Sequence, residues 1–442
     1  MLQNFDVAFR KKSLELLLKN IIVYEDDIIN AIYKDFKKPA FESLITETNF
    51  VISDLKHTIK KIESWAKPIK VLPSILNFPS LDYIYRDAYG KVLIFSPFNY
   101  PFQLAICPLI AAVASGNTVT LKPSELTPNT ASIISKIIRE TFDPKHVIAI
   151  LGDGLISENL LKKRWDYIFF TGSVAVGKII AKAAAENLTP VTLELGGKSP
   201  CIVDETADLK VAAKRIIWGK MVNAGQTCIA PDYILVQESV KEKLVQHLIE
   251  TLKDFYSAEP ENSADFARII NSKTWERLTS LLDNQDIIFG GQGNRETLFI
   301  APTLLNNPKL DSPVMTDEIF GPILPIISYQ SEKEVSSIIL SFEKPLALYL
   351  FSTNSNYINK VLSEFSFGGG CINDIMIHCI NSRLPFGGVG HSGIGNYHGK
   401  FGYETFSHQK SIVKKANWLD IPVRYPKYEK KYKWIKKILN WL

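Results

Sequence analysis

A chain of 442 residues that is 46% hydrophobic and 22% charged can bury a large core, which excludes a disordered or fibrous protein. Its length corresponds to roughly two to four domains. The net charge of +5 is local, because residues 427–442 hold six lysines against Glu429; the remainder is neutral on balance, and no nucleic-acid partner is expected.

From Phe5 to about Ala66, apolar residues recur at three- and four-residue spacing and predict helices. Lys67–Pro79 is punctuated by proline and reads as a connection, and Asp82–Arg86 alternates like a half-buried strand before a turn at Tyr89-Gly90. Strands and helices then alternate. Strands are predicted at Val92–Ser96, Thr118–Leu121, Val147–Leu151, Tyr167–Phe170 and Val191–Leu195, with helices at Phe102–Ser115, Thr127–Glu140, Leu155–Lys162 and Val174–Glu186. This order calls for an α/β protein with a parallel, doubly wound sheet, whose ligands bind beyond the carboxyl ends of its strands. A second alternating half runs from Pro200 to about Gly395, with strands near Pro200–Val203, Tyr233–Val236, Ile287–Phe289, Ile323–Ser328, Ala347–Phe351 and Gly370–Asn373. Ser411–Lys414 alternates once more before a lysine-rich end.

The cysteines, Cys107, Cys201, Cys228, Cys371 and Cys379, are odd in number and form no CxxC pair. They predict reduced thiols in a cytoplasmic setting, with neither a disulfide framework nor a zinc site. The seven histidines show no HExxH or clustered spacing, so no metal is expected. The first residues carry an acid at Asp6 and no apolar core of a signal peptide. The longest apolar stretch, Pro101–Ser115, is interrupted by Gln103 and Pro108 and is too short to span a bilayer.

Four separated stretches fit one chemistry. In Gly225-Gln226-Thr227-Cys228-Ile229-Ala230-Pro231, the glycine lets the backbone approach a ligand and the proline stops a helix, which places the thiol at a turn. Ser96-Pro97-Phe98-Asn99-Tyr100-Pro101 puts an asparagine at the end of a strand, just before a helix. Thr192-Leu193-Glu194-Leu195-Gly196-Gly197-Lys198 puts a carboxylate between leucines, a setting that raises its pKa. Glu318-Ile319-Phe320-Gly321-Pro322 sets an acid two positions before an aromatic ring.

This set resembles the aldehyde dehydrogenase superfamily, and its shorter class 3-like branch of fatty and aromatic aldehyde dehydrogenases in particular. Leu121-Lys122-Pro123-Ser124-Glu125, Phe170-Thr171-Gly172-Ser173, Pro385-Phe386-Gly387-Gly388-Val389-Gly390 and Thr405-Phe406-Ser407-His408 match as well, in the family's order. The resemblance implies a Rossmann-type NAD(P)-binding domain (residues 1–81 and 94–196) and an α/β catalytic domain (197–400). It also implies a small β oligomerisation arm (82–93 and 401–414) and a basic C-terminal tail (415–442).

By the same resemblance, Cys228 attacks an aldehyde, and the amide of Asn99 with the Cys228 backbone N–H holds the oxyanion. Hydride leaves for a nicotinamide, and a water activated by Glu194 hydrolyses the thioester. A free thiol is only about 3% thiolate at neutral pH, so Cys228 depends on its setting. There is no GxGxxG; Gly172-Ser173-Val174-Ala175-Val176-Gly177 opens a helix instead, whose amino terminus suits a pyrophosphate. The resemblance assigns Lys122 and Glu125 to the adenosine ribose and Glu318 to the nicotinamide ribose. It places Phe320 near the ring and Thr171, Gly172, Ser173, Gly177, Leu195 and Gly196 along the cofactor. Glu125 disfavours a 2′-phosphate, so NAD is expected, with NADP left open. Tyr100 and Phe386 are expected to line an apolar entry for a medium- or long-chain aliphatic, or aromatic, aldehyde.

Three other readings remain. A relative that passes its thioester to coenzyme A generally lacks the base that Glu194 supplies; a cysteine hydrolase calls for a histidine beside the thiol; a non-catalytic relative would have no need of the trio Asn99, Glu194 and Cys228. The arm implies a homodimer by resemblance, or else a plain surface hairpin. In the tail, Trp434, Ile435, Ile438, Leu439 and Leu442 share one helical face opposite the lysines. Such a helix either lies in a membrane interface, where anionic lipid contributes about 1 kcal/mol per lysine, or docks on the body with its lysines solvated.

Overall fold

The computed structural model describes residues 5–420 and 422–440. The chain divides into two compact units, Met1–Ala66 with Ala88–His408, and Lys67–Asp87 with Gln409–Leu442.

The first unit holds two large sheets. In the six-stranded one the order is Gly393–Ile394, Val191–Glu194, Tyr167–Thr171, Lys91–Phe95, Thr118–Lys122, Val147–Ala149. All neighbours are parallel except the first pair. The strands are apolar on both faces, as a sheet covered by helices on both sides requires; Val92, Leu93 and Ile94 are fully buried. Strand order reverses between Lys91–Phe95 and Tyr167–Thr171, so the crevice of this doubly wound sheet opens where their carboxyl ends lead into Ser96–Asn99 and Gly172-Ser173.

The seven-stranded sheet has the order Ile287–Phe289, Thr303–Asn306, Ile323–Tyr329, Tyr233–Gln237, Pro200–Val203, Ala347–Phe351, Gly369–Ile372. Only its first pair is antiparallel. The strands predicted in both halves are present with ends shifted by a residue or two.

Two boundaries differ from expectation. Gly393–Ile394 belongs by sequence to the second half, yet pairs with Leu193 and Glu194 at the edge of the six-stranded sheet. The outlying pieces are also displaced. Lys91–Phe95 is a central strand of the six-stranded sheet, and helix Gly399–Thr405 packs on helix Gln103–Ser115 in the first unit. The expected connection contributes a strand instead: the second unit's sheet runs Ile69–Val71, Ser80–Ala88, Ser407–Lys415. The reason is burial: Val92 and Leu93 are fully enclosed, a setting an exposed arm does not provide.

Helices Val7–Val23, Glu25–Phe36 and Asn49–Trp65 cover one side of the first unit, packing on Gln103–Ser115 and Pro128–Thr141. Among the described residues no helix is long and apolar enough to cross a membrane. One buried ion pair ties this layer to the site: Lys38 Nζ donates to Glu47 Oε1 at 2.9 Å, both side chains being wholly inaccessible. Glu47 Oε2 accepts from the amides of Phe102 and Gln103, at 3.0 and 2.9 Å, at the start of helix Gln103–Ser115. Burial drives each partner toward its neutral form, and their mutual contact opposes that drift. Removing one partner strands the other, so Lys38→Met is expected to cost about 3–5 kcal/mol, read as a lowered urea midpoint, while a fall below about 1 kcal/mol would contradict the pairing.

Candidate active site

The cysteine turn is held by its own backbone. Asn223, Ala224 and Gly225 all take left-handed φ values, of 58°, 51° and 74°. Gly225 is required there, because a Cβ would strike the backbone of Gly321. The close approach predicted at this glycine is therefore to another loop of the chain and not to a ligand. Asn223 Nδ2 donates to the carbonyls of Asn99 (2.9 Å) and Gln226 (3.1 Å), while Gln226 Nε2 donates to those of Asn223 (3.1 Å) and Arg268 (3.0 Å). The loop carrying Cys228 is thereby tied to the turn carrying Asn99.

Asn99, Glu194 and Cys228 line one cavity of about 720 Å³ at the carboxyl ends of the six-stranded sheet. A second cavity, of about 190 Å³ and mostly apolar, shares Thr171, Glu194 and Cys228 with it. The thiol and the carboxyl therefore stand at the seam between the two. Glu194 ends the strand Val191–Glu194 and is 3% exposed, and neither of its carboxyl oxygens has a hydrogen-bond partner. Burial alone holds its pKa well above the ordinary carboxylate range. Burial likewise pushes the Cys228 thiol up, and the carboxyls of Glu318 and Glu194 push the same way. In this site burial disfavours both the thiolate and the carboxylate.

The residues predicted for a cofactor lie mostly around the larger cavity. Lys122 Nζ, buried, donates to the Pro123 carbonyl and to Glu125 Oε2, both at 2.9 Å. Thr171 Oγ1 is buried without a partner. Ser173 caps helix Val174–Ala185, its Oγ accepting from the Val176 amide at 3.4 Å, so that helix presents its amino terminus to the cavity. Gly172, Leu195 and Gly196 also line it. Gly177 does not: it is buried in the helix against Leu195, where a Cβ would come within 2.7 Å of Leu195 Cδ2. Its place is close packing of helix on strand. A crevice of this volume, with a buried amine, an open helix amino terminus and a partnerless hydroxyl, fits an anionic dinucleotide.

Glu318 packs against Gly196 so closely that a Cβ there would collide with its carboxylate. Burial raises Glu318 to a pKa of about 8, with Asp232 adding to the rise. Asp232 braces this loop: Oδ1 accepts from the Ile319 amide at 3.1 Å, and Oδ2 receives Lys198 Nζ at 2.5 Å. Lys220 Nζ, at 3.9 Å from Asp232 Oδ1, is lowered to about 8 by burial. Phe320 takes a left-handed φ of 55° and meets Phe98 edge-on, with ring centroids 5.8 Å apart.

Tyr100 and Phe386 both line the apolar cavity. The Tyr100 hydroxyl bonds Thr227 Oγ1 at 2.7 Å, and Lys38 Nζ sits 3.8 Å from its ring centre. Phe386 lies between two imidazoles, His398 at 5.0 Å and His378 at 6.1 Å, each tilted by 19°. Burial pushes both histidines down to about 4. His378 Nδ1 faces Cys371 Sγ at 3.5 Å, and His398 Nε2 has no hydrogen-bond partner, so among the described residues no imidazole is bonded to Cys228. A histidine-activated hydrolase therefore has no support. Phe50, Trp218, Met376, Tyr397 and His398 complete the walls and escaped the sequence reading. They come from distant segments, and singly each reads as ordinary core. Asn223 and Glu47 were missed for a related reason, since each also bonds backbone groups far along the chain, Asn99 for the one and Phe102 and Gln103 for the other.

The model of the aldehyde dehydrogenase family matches residues 2–412. The chain belongs to the aldehyde dehydrogenase family. A 4,4'-diaponeurosporen-aldehyde dehydrogenase of Staphylococcus aureus is 50% identical over 436 residues, 98% of this chain and 95% of the relative. A dimeric NADP-preferring aldehyde dehydrogenase of Canis lupus familiaris is 43% identical, with 95% and 93% of the two chains covered. The structure of substrate-bound AldH from Staphylococcus aureus superposes with a TM-score of 0.97 at 49% identity, covering 99% of this chain and 96% of that one. Family membership makes this chain an NAD(P)-dependent oxidoreductase that converts aldehydes to acids.

A methyl group at Gly196 would displace the Glu318 carboxylate, the far end of a flexible side chain. Gly196→Ala is expected to weaken NAD binding about tenfold, equivalent to ~1.4 kcal/mol, in a fluorescence titration, with an unchanged unfolding midpoint. Unaltered affinity would contradict a role for this loop at the cofactor.

Proposed function

We propose that Cys228 is the nucleophile, Glu194 the hydrolytic base and Asn99 an oxyanion donor, acting on aldehydes with an apolar aliphatic or aromatic body. The observation that carries this reading is the seam: Cys228 and Glu194 face the cofactor crevice and the apolar cavity at once. The Cys228 sulfur adds to the carbonyl carbon to form a thiohemiacetal, and the Asn99 amide with the Cys228 N–H stabilises the new oxyanion. When bound, NAD(P)+ supplies the two-electron oxidant that leaves a thioester on Cys228. Glu194, in its ionised form, then takes a proton from the water that attacks this thioester. Its raised pKa makes it a stronger base than a surface carboxylate, and its unpaired oxygens leave both lone-pair faces free for that water.

Lys122 and Glu125 would hold the adenosine ribose, Ser173 and the helix behind it the pyrophosphate, and Glu318 the nicotinamide ribose. Glu125 is roughly half-exposed, so its carboxylate disfavours a 2′-phosphate without closing the site to it. NAD is the favoured partner and NADP remains acceptable, in keeping with a relative named NADP-preferring. The walls of Phe50, Trp218, Met376 and Phe386 favour an apolar chain or ring over a charged aldehyde. A homodimer is part of the same reading. The nine-residue strand Ser407–Lys415 is an edge, exposed along most of its length, and a relative is named dimeric.

The test is NADH formation with a panel of aldehydes. Cys228→Ala is expected to lose activity by on the order of a thousandfold or more, and added coenzyme A is expected to give no acyl-CoA with the wild type. Activity surviving in Cys228→Ala would refute the mechanism, and an acyl-CoA product would move the enzyme to the acylating class.

A further inference from the structure

The second unit ends in helix Glu429–Leu439. At about 100° per residue, this helix and the residue before it set Tyr428, Tyr432, Trp434 and Ile435 on one side, with Lys430, Lys433, Lys436 and Lys437 on the other. Leu442, from the face predicted by sequence, lies outside the described residues, as do the side chains of Ile438 and Leu439. The aromatic side is largely uncovered: Tyr428 is 61% exposed, Tyr432 66% and Trp434 60%. The four lysines are exposed as well.

Lys431 is the one lysine whose position falls among the apolar residues, and its charge is turned elsewhere. Its Nζ donates to the carbonyls of Pro422 at 2.7 Å and Tyr425 at 2.8 Å, within the same unit. The aromatic strip is therefore relieved of the cation that would interrupt it, while the remaining lysines form a continuous basic side. Glu429 is the only acid in residues 427–442.

The charge pattern selects the occupant. The chain's whole excess of +5 resides in residues 427–442, so the rest of a second copy offers this helix no net opposite charge. Exposed tyrosine and tryptophan rings beside lysines fit the boundary between headgroups and acyl chains, where an amphipathic ring has both its environments. Eleven residues span about 16 Å, too short to cross a bilayer, so the helix would lie flat.

We propose that this helix is a peripheral docking element for an anionic lipid surface, with the ring side seated among the headgroups and the four lysines against their negative charge. The active-site residues all belong to the other unit, so docking and catalysis can be read separately.

The experiment is cosedimentation of the full chain with phosphatidylcholine vesicles, with and without phosphatidylglycerol. It is repeated for the combined variant Lys430→Glu/Lys433→Glu/Lys436→Glu/Lys437→Glu and for Trp434→Ser. The full chain is expected to pellet with the anionic vesicles and not the neutral ones, and added salt should release it. Charge reversal and Trp434→Ser should each weaken binding by about tenfold or more, with NADH formation from a soluble aldehyde unchanged. Failure of the full chain to pellet, or binding that neither variant alters, would overturn the proposal. So would a charge-reversed chain that changes its oligomeric mass while still binding vesicles.

Discussion

Asn223 Nδ2 donates to the carbonyls of Asn99 and Gln226, and that amide, with the Tyr100 hydroxyl bonded to Thr227 Oγ1, ties the two halves of the site together. Asn99 sits in the turn that follows strand Lys91–Phe95 of the six-stranded sheet, and Gln226 belongs to the loop that carries Cys228. Consecutive left-handed residues persist only where their surroundings over-determine them, and here the surroundings are this amide, Gln226 and the carbonyl of Gly321 against Gly225. An oxyanion donor works when its position is fixed before the charge develops. The latch holds the Asn99 backbone from its carbonyl side, as the role proposed for Asn99 would require.

Buried charge is distributed around this seam so that each group has a different fate. Lys38 with Glu47, and Lys198 with Asp232, are paired and serve position: one pair stands beneath Tyr100 and the helix amino terminus, and the other steadies the Glu318 loop. Glu194 has no partner at all among the described residues. A carboxyl buried without hydrogen bonds is costly unless it holds its proton, so this position carries an expense that packing does not explain. The role proposed for Glu194 would account for it, since thioester hydrolysis calls for a base of raised pKa.

Much of this was legible in the sequence for identifiable reasons. Strands such as Tyr167–Thr171 and Pro200–Val203 are short apolar runs between turn residues, and their alternation with helices left one sheet class available. The four chemical stretches were visible because each joins a reactive residue to glycines or prolines. What escaped depends on distance in sequence. Gly393–Ile394 crosses to the other sheet through backbone pairing that two residues cannot advertise. Glu47 looks like a surface acid in a helix until the amides of Phe102 and Gln103 come to it. Gly177 matched a cofactor pattern, yet its spacing serves the approach of Leu195. The apolar cavity draws Phe50, Trp218, Met376 and His398 from separate segments, and no local pattern joins them.

The central claim is a division of labour between Cys228 and Glu194 across the seam, and intact-protein mass spectrometry of Glu194→Gln mixed with an aldehyde and NAD tests it most directly. The account predicts one acyl group per chain, held on Cys228, with NADH released in a stoichiometric burst and little turnover afterwards. Turnover at the wild-type rate without an adduct, or an acyl group on any other residue, would contradict it.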